Sequence, residues 1–574
     1  MSTEFHDRPE PLRTPWISSY PKGVSAHIDI PRIPAWKPLT QSATDFPDRI
    51  ACHFFDQQLT YKELLLQSRK FAESLVQRGI QPGDRVGILL PNMPEYLIAL
   101  NGIWLAGAVA VPISPLLVAR EVSELLETTQ CKVIVALDMF ESLIEQSRFL
   151  PKHLLLVTLR DRLSFWKQLV YPLARWRRNG HFTPGRLSNW GWWEEVLSNT
   201  EPLTKPVPPI QTPAPAVLLS TGGTTGHSKT VMLSHRNLIA NTTQMRHWVN
   251  VERGTEKLLA VLPFFHSFGL TVCGMTAIDL ATTLILFPRF HARSILQLID
   301  KHQPTVFPAV PTMIAALNRQ LKRSDTDLSS IQYCISGGAP LDAELARDFH
   351  QRSGCAIAEG YGLSEAGPVT HVGPLDGTAR TGTIGLPLPN TDARIVDTES
   401  GTRELELGEV GELVVRGPQV MNGYWNDPGE TRRVIRDQWL HTGDLAICDS
   451  DGFFRIVDRK KDLIINSGFN VFPTEVEDIL RQFPGISDVA VIGIPDPKRG
   501  QLVKALIVLE PGNQLRLKEL DRYCADHLAK YKRPHLYEQF KGTLPRNFLG
   551  KLLRRELRDS GSNPDPMSFE SSDN

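Results

Sequence analysis

Short apolar, β-branched runs alternate with helical patterns from about residue 40 to residue 380. Five of these runs predict buried strands: VGILL (86–90), KVIVAL (132–137), LLLVTL (154–159), LILF (284–287) and QYCIS (332–336). Residues 61–79 carry apolar side chains at helical spacing and end at Gly79, where a helix C-cap is expected. Alternation of this kind predicts an α/β fold with mostly parallel, doubly wound sheets and helices on both faces.

The pattern changes twice after residue 390. Turn clusters separate period-2 segments over 392–416, which predicts a small antiparallel or barrel-like subdomain. After about residue 458, a compact α+β module begins and continues to about residue 558. Because 574 residues exceed what a single core supports, we expect four segments. They are an N-terminal extension (1–35), a large domain (36–457), a small C-terminal domain (458–558) and a disordered tail (559–574).

Composition excludes several classes of protein. Lys plus Arg and Asp plus Glu both number 63, and a net charge of +0 argues against a nucleic-acid partner. The seven cysteines include no C-x-x-C pair, so we expect buried, reduced thiols rather than disulfides or a zinc site. The N-terminus lacks a secretory signal, and a cytoplasmic protein is expected.

Two stretches raise the question of a membrane. Residues 96–119 carry no charge and are long enough to span a bilayer, but Asn101, Pro112 and Pro115 interrupt them. We therefore expect a buried helix followed by a buried strand and loop. Residues 160–186 combine seven arginines or lysines with one acid, and Phe165, Trp166, Tyr171 and Trp176 lie among them. This segment fits peripheral contact with a membrane surface, or a solvated face with aromatic residues packed beneath it.

Residues 220–230, STGGTTGHSKT, differ from a phosphate-binding P-loop by Ser228 in place of glycine. Small residues let the backbone approach a polyphosphate, and Lys229 supplies a positive charge. A P-loop requires a helix directly after its lysine, whereas TVMLSH reads as a strand, with a helix beginning near Asn237. The sequence therefore disfavours a P-loop and leaves a different phosphate-holding loop or a flexible turn.

Five further motifs accompany this loop. They are ISGGAP (335–340), GYGLSEAGP (360–368), HTGDLA (441–446), DRKKDLIINSGFNVFP (458–473) and PRNFLGKLLRREL near the end. A Gly-Gly turn after a strand suits contact with a flat base. An acidic residue such as Asp444 can accept hydrogen bonds from ribose hydroxyls.

Together these motifs resemble the acyl-adenylate-forming, AMP-binding superfamily of acyl-CoA synthetases, adenylation domains and luciferases. The resemblance covers about residues 40–560, in the family's motif order. TGGTTG, LPFFHSFG and SGFNVFP are most similar to bacterial long-chain fatty-acid–CoA ligases. The resemblance implies a large AMP-binding domain, a mobile C-terminal domain, and the use of ATP, Mg²⁺ and CoA. The implied reaction joins a fatty acid to AMP, releases pyrophosphate, and then transfers the acyl group to CoA.

The resemblance also implies roles for individual residues. The β- and γ-phosphates of ATP would be held by Thr221, Gly222, Gly223, Thr224, Thr225, Gly226 and Lys229. The adenine would lie against Gly338, Ala339 and Tyr361. The α-phosphate would contact Ser364, the Mg²⁺ would bind Glu365, and the ribose would bind Asp444 and Arg459.

The remaining implied roles concern catalysis and movement. Lys551 would stabilise the transition state of adenylation, and His266 would lie at the acyl pocket near the carboxylate. Lys461 would be the hinge, and Gly468 would border the CoA channel. Ser228 and Thr230 replace the proline and glycine usual in the family's loop. Thr230 would be strained if its position required a positive φ.

Several activities stay open within the superfamily. Residues 264–267 offer no carboxylate to pair with an amino-acid ammonium group, which favours a plain carboxylic acid. Ile465 stands where luciferases carry a lysine, which disfavours an oxidative activity. A ligase that loads an acyl carrier protein, an aryl-acid ligase and a non-catalytic nucleotide- or acyl-binding protein remain as alternatives. Acyl chain length depends on pocket packing that no motif records, and the oligomeric state is equally open.

Overall fold

A computed structural model describes residues 13–160, 163, 165–179, 190–205, 211–221, 229–547 and 550–559. It forms two compact units that alternate along the chain. The larger unit contains Ile17–Asp392 and Arg416–Leu440. The smaller unit contains Met1–Trp16, Ala393–Val415 and His441–Asn574.

The larger unit is built on two long sheets, of which the first has eight strands. Five neighbouring pairs are parallel, and the two pairs at one edge are antiparallel. In spatial order the strands are Gly423–Tyr424, Lys229–Ser234, Pro215–Thr221, Val109–Pro112, Arg85–Leu89, Val133–Leu137, His153–Val157 and Trp190–Trp192. The nearly continuous Val, Ile and Leu content of the central strands suits a sheet that is covered on both faces.

The second sheet has nine strands, with a parallel centre and antiparallel edges. In spatial order they are Leu386–Pro387, Val369–Val372, Ile357–Gly362, Tyr333–Gly337, Val306–Ala309, Lys257–Ala260, Thr283–Leu286, Ile50–Phe54 and Gln57–Thr60. One core cluster of this unit includes Phe307 and Phe349, both fully buried.

Helices connect the strands of the larger unit. They are Lys37–Asp45, Tyr61–Gln77, Pro94–Leu105, Ala119–Thr129, Glu141–Glu145, Phe165–Asn179, Trp193–Ser198, His235–Val249, Gly269–Thr276 (a π-helix), Ala277–Asp279, Ala292–His302, Pro311–Leu321, Ala343–Ser353 and Pro428–Val434. The Tyr61–Gln77 helix begins with a capping box and ends as predicted, with Gly79 at φ +76° just beyond its C-cap.

The prediction that residues 96–119 form a buried helix followed by a buried strand is confirmed. The helix Pro94–Leu105 is buried along its whole length, and the buried strand Val109–Pro112 follows it. Within the described part of the chain, no helix is both long and apolar enough to cross a membrane. All seven cysteines are buried and free, as expected for reduced thiols.

The smaller unit contains two sheets. One holds the strands Asp392–Val396, Gly411–Arg416, Trp439–Cys448 and Phe454–Arg459. The other holds Phe469–Val471, Ile464–Asn466, Gly500–Leu509, Ile486–Asp496 and, beside Gly500–Leu509, Leu536–Gln539. The helices are Pro473–Arg481, Leu517–His527 and Arg554–Asp559. The predicted fold class, parallel sheets with a small antiparallel sheet and a C-terminal α+β module, is confirmed.

Candidate active site

The phosphate-loop motif lies at the end of a β-hairpin. Thr221 ends one strand and Lys229 begins the next, and the two residues face each other in an antiparallel pair. The Thr221 hydroxyl donates to the Lys229 carbonyl at 3.2 Å. A strand and not a helix follows Lys229, so this lysine lacks the helix that follows the lysine of a P-loop. Gly222, Gly223, Thr224, Thr225, Gly226 and Ser228 lie outside the described residues.

Thr230 occupies a regular position in this hairpin. It is buried, pairs with Ser220 across the ladder, and its carbonyl accepts from the Trp425 backbone N–H at 2.8 Å. A β-branched residue suits an extended strand. The condition for strain is therefore not met, because Thr230 lies in a regular strand and is not among the residues with positive φ.

Lys229 is bound by acidic and aromatic partners of the larger unit. Its ammonium group forms an ion pair with Glu430 and lies 5.2 Å from the ring centre of Tyr424. The hydrogen bond from Lys229, together with the charges of Lys229 and Arg433, lowers the pKa of Glu430. The lysine predicted to hold phosphates is thus already held by a carboxylate.

The predicted adenine-binding residues meet at the carboxyl ends of two parallel strands. Gly338, at φ +84°, and Ala339 follow Tyr333–Gly337, while Tyr361 lies near the end of the adjacent strand Ile357–Gly362. Glu359, in the second of these strands, links the loop after the first strand to the segment after Val369–Val372, since its carboxylate accepts from the Leu341 and Gly382 backbone N–H groups. In open α/β sheets, ligands bind at such strand ends.

Ser364 and Glu365 lie on the short 3₁₀ turn that follows Tyr361. The Ser364 hydroxyl is 3.1 Å from the hydroxyl of Ser267, and the Tyr424 hydroxyl donates to Glu365 Oε1 at 2.8 Å. The turn needs a glycine just before it, because a Cβ on Gly362 would lie 2.0 Å from the Pro368 carbonyl oxygen. The candidate α-phosphate and metal residues are therefore held by contacts to two other segments.

His266 lies in the segment that carries Ser267. Burial lowers the pKa of His266 to about 4, so its imidazole is neutral near pH 7. Its Nδ1 accepts from the Phe268 backbone N–H at 3.3 Å, which leaves the ring proton on Nε2. Asn92 fixes the segment from the side, donating to the Leu262 carbonyl at 2.7 Å and accepting from the Phe264 N–H at 2.8 Å. A neutral N–H donor therefore lies one residue from the serine that contacts Ser364.

The other predicted site residues belong to the smaller unit. Asp444 and Arg459 face each other across an antiparallel pair, with Arg459 Nε 2.5 Å from Asp444 Oδ1. Burial, together with the neighbouring cations Arg459 and Lys461, lowers the pKa of Lys551 to about 8, and the charge of Asp444 opposes this shift. These four predicted residues thus form one electrostatic cluster.

Asn547 and Gly550 position the backbone at Lys551. Gly550 has φ +84°, and the Asn547 side chain accepts from the Lys551 N–H at 2.9 Å. Lys461, on the 3₁₀ turn Lys460–Asp462, has a pKa lowered mainly by burial. Gly468, at φ +83°, lies on an exposed hairpin between the strands Ile464–Asn466 and Phe469–Val471.

Three functional candidates escaped the sequence reasoning: Ser267, Tyr424 and Glu430. Ser267 lies inside the motif that holds His266, so its hydroxyl was a visible signal. Tyr424 and Glu430 lie in NGYWNDPGET, a stretch with turn residues and no pattern of its own that indicates phosphate chemistry.

The fold and this site define a class of nucleotide-dependent, adenylate-forming enzymes. The chain belongs to the family of AMP-binding enzymes: residues 39–425 match the AMP-binding enzyme model, and residues 475–551 match the AMP-binding enzyme C-terminal domain.

Its relatives cover nearly the whole chain. It is 40% identical over 547 residues to a long-chain-fatty-acid–CoA ligase of Bacillus subtilis, covering 95% of this chain and 97% of the relative. It is 35% identical over 560 residues to a long-chain-fatty-acid–CoA ligase of Escherichia coli O157:H7, covering 96% and 98%. The crystal structure of ATP-bound MatB from Rhodopseudomonas palustris superposes with a TM-score of 0.77 at 27% identity, covering 92% and 98%.

Proposed function

We propose that this chain activates a long-chain fatty acid with ATP, forming acyl-AMP and pyrophosphate, and then transfers the acyl group to CoA. Similarity to long-chain-fatty-acid–CoA ligases over nearly the full length of both proteins carries this proposal. The residues that such a reaction needs, Glu365, Asp444 and Lys551 among them, are all present.

The first half-reaction makes a poor electrophile reactive. A carboxylate oxygen attacks the α-phosphorus, the bond to the β-phosphate oxygen breaks, and pyrophosphate leaves with the electron pair. Negative charge develops on the phosphoryl oxygens, so donors and cations aimed there lower the barrier. Ser364 offers a hydroxyl to the α-phosphate, and Lys229 offers its cation to the pyrophosphate end once Glu430 releases it.

A magnesium ion bound with the ATP fits the acidic residues of the site. Mg²⁺ is usually bound by one or two carboxylates together with substrate phosphates. Glu365 is a single carboxylate with one oxygen held by Tyr424, and the described residues contain no group of three or more metal-ligating side chains. The ion would neutralise phosphate charge. Tyr424 orients the Glu365 carboxylate that would hold it.

Lys551 supplies the cation for the first half-reaction. With a pKa of about 8, it is mostly protonated at pH 7, and its low pKa reflects burial beside other cations. Burial of this kind strengthens its attraction to a developing negative charge. In the second half-reaction, the CoA thiolate attacks the acyl carbon and AMP leaves. We propose that Lys461 is the hinge for this step, that Gly468 borders the CoA channel, and that the mobile domain begins near residue 458.

The substrate acid lies next to a neutral histidine. His266 can donate from Nε2 to a carboxylate oxygen without carrying charge, because its pKa is about 4. A neutral donor would orient the nucleophile without pairing with it as an ion. Since residues 264–267 carry no carboxylate, an amino-acid substrate would lack a partner for its ammonium group.

An acid panel tests the function. ATP–pyrophosphate exchange with C2 to C18 acids and aryl acids reports adenylation, and thioester formation with CoA reports the second half-reaction. We expect exchange to be strongest with the long-chain acids and thioester to appear only with CoA. Exchange confined to aryl acids, or acyl transfer only to a carrier protein, would replace the proposal with the matching alternative. Binding of ATP without exchange would indicate a non-catalytic protein.

A long-chain substrate also bears on the surroundings of the enzyme. Long-chain acids partition into bilayers because each buried methylene contributes about 0.8 kcal/mol. We propose that the basic, aromatic segment 160–186 provides a peripheral contact with a membrane.

A further inference from the structure

The helix Phe165–Asn179 is amphipathic, and its apolar side is exposed. Six large apolar side chains are exposed, among them Phe165 (66%), Trp166 (76%) and Val170 (59%). The other three are Leu169, Leu173 and Trp176. At about 100° per residue, these six positions cover an arc of about 140°. A helix on a globular domain normally buries such a stripe. We call these six residues the apolar face.

Polar and charged contacts fix the opposite side of this helix. The Tyr171 hydroxyl donates to Asp138 Oδ1, and Arg175 pairs with Glu141 at 2.7 Å. Both anchoring side chains are buried. The Asn179 side chain donates to the Asp138 carbonyl at 2.7 Å. Since a buried ion pair and two hydrogen bonds determine its orientation, the helix is held with the apolar face outward.

Positive charge borders the apolar face. Arg177 lies near one edge of the arc, and Arg178 lies beyond the same edge with its guanidinium 4.6 Å from the ring centre of Phe140. Both arginines are exposed. The helix sequence, FWKQLVYPLARWRRN, has four cations and no acid, and one of these cations, Arg175, is paired with the buried carboxylate of Glu141.

We propose that the apolar face docks onto the surface of a bilayer that contains anionic phospholipid. Aromatic and aliphatic side chains flanked by arginines suit insertion at the boundary between headgroups and acyl chains. The helix has 15 residues, or about 22 Å, so it lies in the interface and does not cross it. A protein partner would need no such positive border, which is why we favour the lipid surface.

The proposal deepens the membrane contact proposed for segment 160–186, since it assigns the contact to one helix face and to anionic lipid, and it is tested without any substrate. The full-length protein is sedimented with vesicles of phosphatidylcholine alone, or with about 40 mol% phosphatidylglycerol, at about 0.1 M salt. We expect preferential binding to the anionic vesicles. Trp166→Glu combined with Leu169→Glu should lower the partition coefficient at least about tenfold, because two inserted side chains are replaced by charges that the lipid surface repels.

Leu66→Glu is the matched control, since Leu66 is an exposed leucine (44%) on the separate helix Tyr61–Gln77. It should bind vesicles like the wild type. Arg177→Gln with Arg178→Gln should lower binding to anionic vesicles by about fivefold per residue and leave the weak binding to neutral vesicles unchanged. Thermal unfolding of every variant checks that the fold is intact.

Two outcomes would overturn the proposal. The first is a failure of the vesicle assay: the wild type does not sediment with anionic vesicles, or the double glutamate variant binds them as well as Leu66→Glu does. The other is a self-associating wild type that the double glutamate variant converts to monomer, with no vesicle binding in either. That result would assign the apolar face to contact between copies of the chain. Because ligase activity is not measured, failure here removes the proposed membrane contact and leaves the proposed ligase activity standing.

Discussion

The hydroxyl of Tyr424 donates a hydrogen bond to Glu365 Oε1 at 2.8 Å. The two residues are 59 positions apart in the chain. Burial and the neighbouring carboxylate raise the pKa of Tyr424 far above its ordinary value, so the phenol stays a donor at every working pH. One oxygen of the candidate metal-binding carboxylate is therefore fixed, and the other can face a ligand.

Tyr424→Phe should leave the Glu365 carboxylate less well oriented and so weaken the binding of Mg²⁺ during adenylation. A hydrogen bond to a charged acceptor contributes about 1.5–3 kcal/mol, so we expect the Mg²⁺ concentration for half-maximal ATP–pyrophosphate exchange to rise about tenfold. The phenyl ring remains beneath Lys229, so the KM for ATP at saturating Mg²⁺ should stay within about twofold. An unchanged Mg²⁺ dependence would show that Tyr424 does not orient Glu365.

Glu430→Gln should improve ATP binding. In the structure, Lys229 is engaged by Glu430, so an incoming phosphate must displace a carboxylate. The pair is partly exposed, and such pairs contribute about 1 kcal/mol at most, which limits the expected fall in the KM for ATP to about threefold to fivefold. The measurement is exchange kinetics at varied ATP.

Arg433→Gln serves as the control, because Arg433 also binds Glu430, at 3.0 Å, but leaves the Lys229 pair in place. Its KM for ATP should match that of the wild type. A higher KM for ATP in Glu430→Gln would mean that Glu430 positions Lys229 for phosphate and does not compete with it.

Local patterns were enough to predict the strands and the hairpin at the loop. The runs at 86–90 and 132–137 became parallel strands because β-branched residues favour buried sheet, and TVMLSH became the second strand of the hairpin. Motif order predicted that Asp444, Arg459 and Lys551 act together, and the structure joins them in one electrostatic cluster. Their individual roles stay predictions.

Long-range contacts could not be read from the sequence. Lys229 and Glu430 are 201 positions apart, and nothing near either residue records the pairing. The direction of the helix Phe165–Asn179 cannot be read from the sequence either, because periodicity shows an apolar stripe but not which side packs inward. The contacts of Tyr171, Arg175 and Asn179 with Asp138 and Glu141 decide that direction.

His266→Gln should affect the acid substrate more than the nucleotide. Glutamine keeps a neutral N–H donor but displaces it, so we expect kcat/KM for the fatty acid to fall about tenfold with the KM for ATP within about twofold. Because burial lowers the pKa of His266 to about 4, the ratio of variant to wild-type activity should stay constant from about pH 6 to pH 8. A ratio that changes across that range would show that the imidazole titrates there. Equal loss for both substrates would place His266 in a structural role.

Lys551 should set the alkaline limit of adenylation. Its pKa is lowered from 10.5 to about 8, so the ammonium form is present below pH 8 and is lost as the pH rises through that value. If the transition state needs the cation, ATP–pyrophosphate exchange should fall about tenfold per pH unit above 8. Lys551→Arg keeps its charge across this range, so the fall in exchange above pH 8 should disappear. Its exchange rate below pH 8 should be lower than that of the wild type, because a guanidinium differs in shape from an ammonium group.

Lys551→Ala should lose about 100-fold or more in exchange, yet form thioester from supplied acyl-AMP and CoA at a rate near that of the wild type. A fall in exchange above pH 8 that persists in Lys551→Arg would assign the titration to another group. Equal loss in both half-reactions would show that Lys551 supports the fold and not the first half-reaction alone.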